Sequence, residues 1–323
     1  MSSILYKSTK SVDLDDLSPS EEEYQREIVR RMKLVLDANG VPPNRPFERP
    51  RNSLHRVAVV SDIHSNDHAL DAVLRHAKDV DDVWCLGDIN GYGPHPQQVA
   101  QMLRGLQGRG MLQIVAGNHD HAICGDKKIE WFNDHGKKSI YLNYLDSNPE
   151  DLDWVHDLPS SKSVIVPRVQ GIEFPNFSLG HGSVADTDLY RPMDLKGTSQ
   201  ELLALDSMKL PGSPRHSLIG HSHVPALSVI FPNHKFAQAQ ITPGKTIFLP
   251  GGSNGPRAVI NPGSVGQPRD QDPRSSYMTI DFMKNGETGI TPHRIRYDAA
   301  PVYDALEQKG YPEFNRRRIL LGH

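Results

Sequence analysis

Five short clusters in this chain combine carboxylates, imidazoles and a carboxamide with glycine: Ser61-Asp62-Ile63-His64-Ser65-Asn66, Gly87-Asp88-Ile89-Asn90, Gly117-Asn118-His119-Asp120, Gly180-His181-Gly182 and Gly220-His221-Ser222-His223. Carboxylate oxygen, imidazole nitrogen and amide oxygen suit borderline to hard divalent ions such as Mn²⁺, Fe²⁺, Zn²⁺ or Ni²⁺. Asp62 and His64 stand two residues apart, as do His221 and His223. On an extended strand end, where side chains alternate with a period of two, each pair would project to one face. The glycines before Asp88, Asn118, His181 and His221 allow tight turns and close backbone approach. Taken singly, an Asp-x-His or a Gly-Asp is an ordinary surface pattern. The five in this order, each after an apolar run, are what point to a cation site.

Those apolar runs are the elements that must position the clusters. Val57-Ala58-Val59-Val60, Val83-Trp84-Cys85-Leu86 and Leu112-Gln113-Ile114-Val115 read as strands buried on both faces. Helices fall between them, on Ala69, Leu70, Val73, Leu74 and Ala77, and on Val99, Met102, Leu103 and Leu106. Strands alternating with helices argue for βαβ units in an α/β domain. Further strands are expected at Phe177 to Leu179, Ser217 to Ile219, Val259-Ile260 and Tyr277 to Phe282, with loops or insertions at 185–214 and 227–256. In open α/β sheets the ligand site lies beyond the carboxyl ends of the strands, so clusters from residue 62 to residue 223 would converge. Residues 127–171, with Trp131, Phe132, Tyr141, Tyr144 and Trp154, read as a mostly helical cap over that site.

Residues 1–54 read as an extension ahead of a main domain at 55–323. Ser18-Pro19-Ser20-Glu21 is a helix start, with Tyr24, Ile28, Met32, Val35 and Leu36 at helical spacing, Gly40 as a stop and a Pro/Arg-rich linker after it. The opening residues lack a basic-then-apolar export pattern, and no apolar run approaches the roughly 20 residues of a membrane helix. The 2 cysteines, Cys85 and Cys124, cannot build a disulfide framework, which fits a reducing, cytoplasmic compartment. A formal charge of −3 argues against a nucleic-acid or anionic-membrane partner, and Arg316-Arg317-Arg318 reads as a solvated helix face.

The ordered clusters, with Gly91-Tyr92-Gly93-Pro94, Asn261-Pro262-Gly263-Ser264-Val265-Gly266-Gln267-Pro268-Arg269-Asp270 and the tail Tyr297 to Gly322, resemble the calcineurin-like metallophosphoesterase superfamily, specifically its bacterial-type small phosphatases and phosphodiesterases. The resemblance spans roughly residues 56 to 322. It implies a four-layer α/β/β/α sandwich of two mixed β-sheets flanked by helices. It implies two divalent ions, Mn²⁺ first among Fe, Zn, Ni, Co and Mg: one on Asp62, His64 and His223, the second on Asn118, His181 and His221, with Asp88 bridging both. A hydroxide shared by the ions would attack phosphorus, and His119 would face the leaving-group oxygen.

Several roles stay open on residue types alone. His119 could instead be a structural hydrogen-bonder in its turn, and Asp120 would orient that loop. Arg269 and Arg274 suit bidentate phosphate binding, yet an ion pair with Asp270 or Asp272 fits equally well. Tyr92 could line the pocket or fill its turn; Asn66 reads as a helix cap. Related serine/threonine phosphatases carry an aspartate three residues after the bridging one, and here that position is Gly91. The expected function is therefore hydrolysis of a phosphomonoester or phosphodiester of a small molecule, such as a nucleotide. The alternatives are a protein phosphatase, a nucleic-acid-end phosphoesterase, or a non-enzymatic scaffold of the same fold.

Overall fold

The computed structural model describes residues 47–126, 129–164, 172, 174–182, 214–230, 236–239, 241–251 and 255–322. The helix expected between Ser18 and Leu36 lies outside them, as does the loop expected at 185–214 except for its last residue.

The first strand, β1 (Ser53–Val60), shows how the chain is layered. Its run Val57 to Val60 is fully buried, and successive side chains face opposite ways. Ala58 and Val60 join an apolar cluster with helix residues Ala69, Leu70, Val73, Val99 and Leu103. Val57 and Val59 join a second cluster with Phe177, Leu179, Leu218, Leu227 and Ile260. The first cluster is the seam between helices and a sheet, and the second is the seam between two sheets.

Parallel pairing joins β1 to β2 (Asp82–Cys85), and β2 to β3 (Leu112–Ile114). The crossovers are α1 (Asp67–His76) and α2 (Pro96–Gly108), as the spacing predicts. Asn66 caps α1, its side chain accepting from Ala69 N at 3.1 Å. After β3 come α3 (Asn118–Ile123), a 3₁₀ turn (Ile129–Trp131), α4 (Asp134–Leu145) and α5 (Pro149–His156). The region read as mostly helical is so up to His156 and then turns into a strand, β4 (Ser161–Val164).

The remaining strands are β5 (Phe177–Gly180), β6 (His216–Leu218), β7 (Ala226–Ile230), β8 (Phe236–Gln238), β9 (Ile247–Leu249), β10 (Arg257–Asn261), β11 (Ser275–Met283) and β12 (Thr288–Ile295). Two helices follow, α6 (Ala300–Gln308) and α7 (Glu313–Leu321). The described strands form two six-stranded mixed sheets, β3-β2-β1-β11-β12-β9 and β4-β5-β6-β10-β7-β8. Helix, sheet and sheet of the expected sandwich are thus described.

One reading is corrected and one strand went unanticipated. Residues 227–256 are not simply loop: β7, β8 and β9 lie in or across that stretch, short and separated by turns. β7 is secured by Leu227 and Val229 in the inter-sheet core, opposite Ile260 and Ala258 of β10. β12, which no apolar alternation announced, contains Pro292. β9 pairs only with Thr288 to Ile290, so the missing N–H of Pro292 falls beyond the end of that neighbour.

The fold also buries a cation that no motif flagged. Arg56 on β1 is 1% exposed; Nε and Nη2 bond both oxygens of Asp281 at 2.9 and 3.1 Å, and Nη1 bonds Asp79 at 3.0 Å and Phe47 O at 3.0 Å. Together with a bond to Glu48 O, this ties residues 47 and 48 to the main domain.

Candidate metal centre

The clusters do converge, but not because strands continue into them. β1 ends at Val60 and β6 at Leu218, so neither histidine–aspartate nor histidine–histidine spacing rides on a pleat. Asp62 (φ 52°), His64 (φ 48°), Asp88 (φ 50°), His221 (φ 66°) and His223 (φ 59°) all adopt left-handed backbone instead. Such conformations are uncommon for non-glycine residues and concentrate where surrounding structure over-determines them. Here the loops after β1 and β2 are sewn together: Asp62 N donates to Gly87 O at 3.0 Å, His64 N to Asp88 O at 3.0 Å and Ser65 N to Ile89 O at 2.8 Å. The close approach requires glycine at position 117, where a Cβ would sit 2.1 Å from Asp88 Oδ1.

Within this frame the ligand atoms of Asp62, His64 and His223 lie within 4.8 Å of one another, and so do those of Asp88, His181 and His221. These are the two expected ligand sets without Asn118. A third overlapping set joins His64, Asp88 and His119. Asp62, Asp88, Asn118, His119, His181, His64 and His223 are buried, and His221 is half-buried.

Three imidazoles are held in one tautomer. Nδ1 of His64 meets Asn90 O at 2.8 Å, that of His181 meets Leu86 O at 2.7 Å, and that of His223 meets Gln267 O at 2.5 Å. A carbonyl only accepts, so each Nδ1 carries the proton, and in the neutral ring Nε2 presents a lone pair inward. This is how metal-ligating histidines are oriented. His64 Nε2 and His223 Nε2 are 3.1 Å apart, and His223 Nε2 is 3.2 Å from Asp62 Oδ1. Lone pairs facing each other at that distance call for a cation between them. Asn118 Oδ1 is likewise buried and accepts no hydrogen bond among the described residues. The donor set and its orphaned oxygens fit divalent ions.

The electrostatics agree. Burial alone would raise the Asp62 carboxyl, but His223 and His181 beside it hold it below its usual range. Burial likewise opposes ionisation of Asp88, and His181 and His119 overcome it. Burial, reinforced by His181, pushes His221 down to about 3. His64 is driven down by burial and by His223. Against its own burial, His181 is raised to about 9 by Asp88, 3.1 Å away, and by Asp62. Ionised carboxylates facing mostly neutral imidazoles are the protonation state that metal binding requires.

The other expected residues sort as follows. Asp120 orients its loop: its oxygens accept from Gly117 N at 2.9 Å, Asn90 N at 3.1 Å and Ile89 N at 3.3 Å. His119 donates its backbone N–H to Asp88 Oδ1 at 2.8 Å, and its ring packs against Tyr92, His64 and Phe132 at 4.6, 4.9 and 4.8 Å between centroids. Phe132 comes from the expected cap. Tyr92 thus lines the cluster. Arg269 lies with its Cζ 5.5 Å from the Tyr92 ring centre, beside the cluster. For Arg274 the ion-pair alternative is the one found: Nε and Nη2 grip Asp272 at 2.9 and 2.6 Å.

Sequence reasoning missed what holds the loops from behind. Asn143 of α4 accepts from Ser65 Oγ and Gly91 N, both at 2.7 Å, and donates to Gly93 O at 2.8 Å and to Tyr311 Oη at 2.7 Å. From α7, Asn315 donates to Tyr92 O at 2.9 Å. The available signal for Asn143 was a carboxamide on the buried helix face that Ser139 and Ile140 define. The arginines of α7 are corrected too: Arg317 is buried and Arg318 half-buried, so they are not a solvated face.

The calcineurin-like phosphoesterase superfamily domain model matches residues 56–285. The chain belongs to that superfamily. The uncharacterized protein MJ0912 of Methanocaldococcus jannaschii is 30% identical over 270 residues, covering 82% of this chain and 98% of that protein. A metallophosphoesterase from Sphaerobacter thermophilus superposes with a TM-score of 0.61 at 28% identity, covering 83% of this chain and 99% of the other. The protein PH1004 of Pyrococcus horikoshii, at 17% identity and a TM-score of 0.63 over 83% of this chain and 98% of its own, shares the fold. Membership accounts for both the two mixed sheets and the cluster at their loops. Among the described residues no helix is long and apolar enough to cross a membrane.

Proposed function

We propose that this calcineurin-like phosphoesterase hydrolyses a phosphate ester of a small molecule at a pair of divalent ions, Mn²⁺ being the first choice. The observation that carries the reading is the pair of ligand sets, Asp62–His64–His223 and Asp88–His181–His221, meeting where Asp88 stands within 3.8 Å of His64 Nε2 and 3.1 Å of His181 Nε2. Asp88 would bridge, and Asn118 Oδ1 would complete the second set. Bound there, divalent ions supply Lewis acidity toward phosphoryl oxygens and bring a water's pKa toward neutrality.

The chain's own groups do the rest. His119 projects its ring into the cluster beside His64 and Tyr92, where it can hand a proton to a departing oxygen or hydrogen-bond it. Burial, with Arg269 adding to it against the pull of Asp88, pushes His119 down to about 4. Arg269 offers a guanidinium to phosphoryl oxygens. Phe132, from the cap, packs on His119.

A protein-phosphatase reading is disfavoured at Gly91. A Cβ there would lie 2.4 Å from His119 Nδ1, so no side chain fits where a partnering carboxylate would start. A scaffold role is disfavoured because every ligand position keeps a competent side chain. The free thiols Cys85 and Cys124 fit a cytoplasmic setting. The test is turnover of p-nitrophenyl phosphate and bis-p-nitrophenyl phosphate with Mn²⁺. Hydrolysis of either supports the reading; no turnover of both, with metal shown to be bound, sinks it in favour of a scaffold.

A further inference from the structure

Gln267 stands at the rim of the metal centre, its carbonyl oxygen accepting from His223. Its side-chain Oε1 accepts from two guanidinium groups, Arg269 Nη2 and Arg318 Nη1, each at 3.2 Å. Two cations therefore converge on one neutral oxygen. Among the described residues neither pairs with a carboxylate, because the acids nearby are committed elsewhere: Asp270 to Arg294, Asp272 to Arg274 and Glu313 to Arg317. Nε of both Arg269 and Arg318 is buried and, among the described residues, donates no hydrogen bond.

Both planes are fixed by aromatic rings. Arg318 Cζ lies 4.1 Å from the centre of Phe314, and Arg269 Cζ 5.5 Å from that of Tyr92. Tyr92 in turn touches His64 and His119, with centroids 4.8 and 4.6 Å away. Burial, with Arg269 alongside, pushes Arg318 down to about 9. Preformed guanidinium forks with spare donors match phosphoryl oxygens. Gln267 O meets His223, and Arg269 N meets His223 O at 3.4 Å, which sets the pair beside the ligand cluster.

We propose that Arg269 and Arg318 together bind a second phosphoryl group, so that the substrate carries two phosphoryls in succession, as a nucleoside diphosphate does. This rests on the phosphoesterase reading above and narrows its substrate class. Gln267 positions the two forks, and α7 takes part in the site through Arg318.

The test measures binding of inorganic pyrophosphate and inorganic phosphate to the Mn²⁺-loaded full chain by calorimetry. In parallel, kcat/KM of the Mn²⁺-loaded chain is compared for a nucleoside diphosphate and p-nitrophenyl phosphate. Pyrophosphate is expected to bind at least about tenfold tighter than phosphate, roughly one charge-assisted hydrogen-bond pair. Arg318→Met should erase that preference and lower the diphosphate-to-monoester ratio of kcat/KM at least about tenfold. Equal binding of the two anions by the wild-type chain, or an unchanged preference in Arg318→Met, would overturn the proposal. If Arg318→Met loses its cooperative melt, Arg318→Lys is read instead. It keeps charge and stem but not the fork, so at least about a threefold loss of preference is expected, and no loss overturns the proposal. Absent turnover with pyrophosphate selection intact would remove the phosphoesterase reading and leave the anion site standing.

Discussion

Asn143→Leu isolates the support behind the centre. The two side chains are nearly isosteric, so little volume changes, while four hydrogen bonds at 2.7 to 2.8 Å disappear. The Ser65 and Tyr311 hydroxyls can rotate toward other partners. Gly91 N–H and Gly93 O are backbone groups in a buried loop and cannot. Leaving each of them unmet costs about 1–3 kcal/mol, so a loss of roughly 3–5 kcal/mol is expected in all. Asn143→Ala removes the same bonds but opens room for a water, so its loss should be smaller. Urea denaturation followed by circular dichroism reads both. The same loop carries Tyr92, and Ser65 adjoins His64, so Asn143→Leu should also weaken metal binding. A loss under about 1 kcal/mol, or Ala more damaging than Leu, would refute the claim that this carboxamide holds the loops by hydrogen bonding.

Burial pushes His216 and His293 each down to about 3, with Arg215 and His76 respectively the next cause. In the unfolded chain an imidazole takes its proton near pH 6.5, and the folded chain refuses it. Their contribution is therefore whole above that pH and lost as pH falls toward 3, at up to about 1.4 kcal/mol per pH unit for each. Urea midpoints at pH 7, 6 and 5 should fall, and His293→Asn should flatten the decline; a profile unchanged by that substitution would count against it. Gly91→Ala puts a Cβ at φ 99° and 2.4 Å from His119 Nδ1. It should lower kcat by at least about a hundredfold while the chain still binds metal, because His119 is displaced and the ligands are not. Wild-type kcat would contradict the place given to His119. Asn118→Ala should abolish turnover by removing the amide oxygen of the second set, and near wild-type rates would remove Asn118 from it.

The chemistry was legible because its residue types are few and their order along the chain is unusual. The first three strands were legible because Val57 to Val60, Val83 to Leu86 and Leu112 to Val115 are continuous apolar runs, as strands buried on both faces must be. What brings Asp62 and His64 together was misread: spacing suggested a pleat, whereas the backbone is left-handed at five of the candidate ligand residues. Such conformations answer to long-range packing, which a local pattern does not encode. β12 was hidden by Pro292, whose tolerance depends on where β9 stops. The cost of burying Arg56 and Asn143 is offset by partners far away in sequence, 225 residues for Arg56 and Asp281 and 168 for Asn143 and Tyr311. Charge alone made the α7 arginines look solvated.

The central claim is that one carboxylate, Asp88, joins two divalent-ion sites. Metal content per chain, measured by mass spectrometry after Mn²⁺ loading and desalting, tests it directly. Two ions per wild-type chain are expected, and Asp88→Asn, which keeps the shape but removes the charge, should retain one or none. A wild-type chain that holds no more than one ion, or an Asp88→Asn chain that still holds two, would contradict the account.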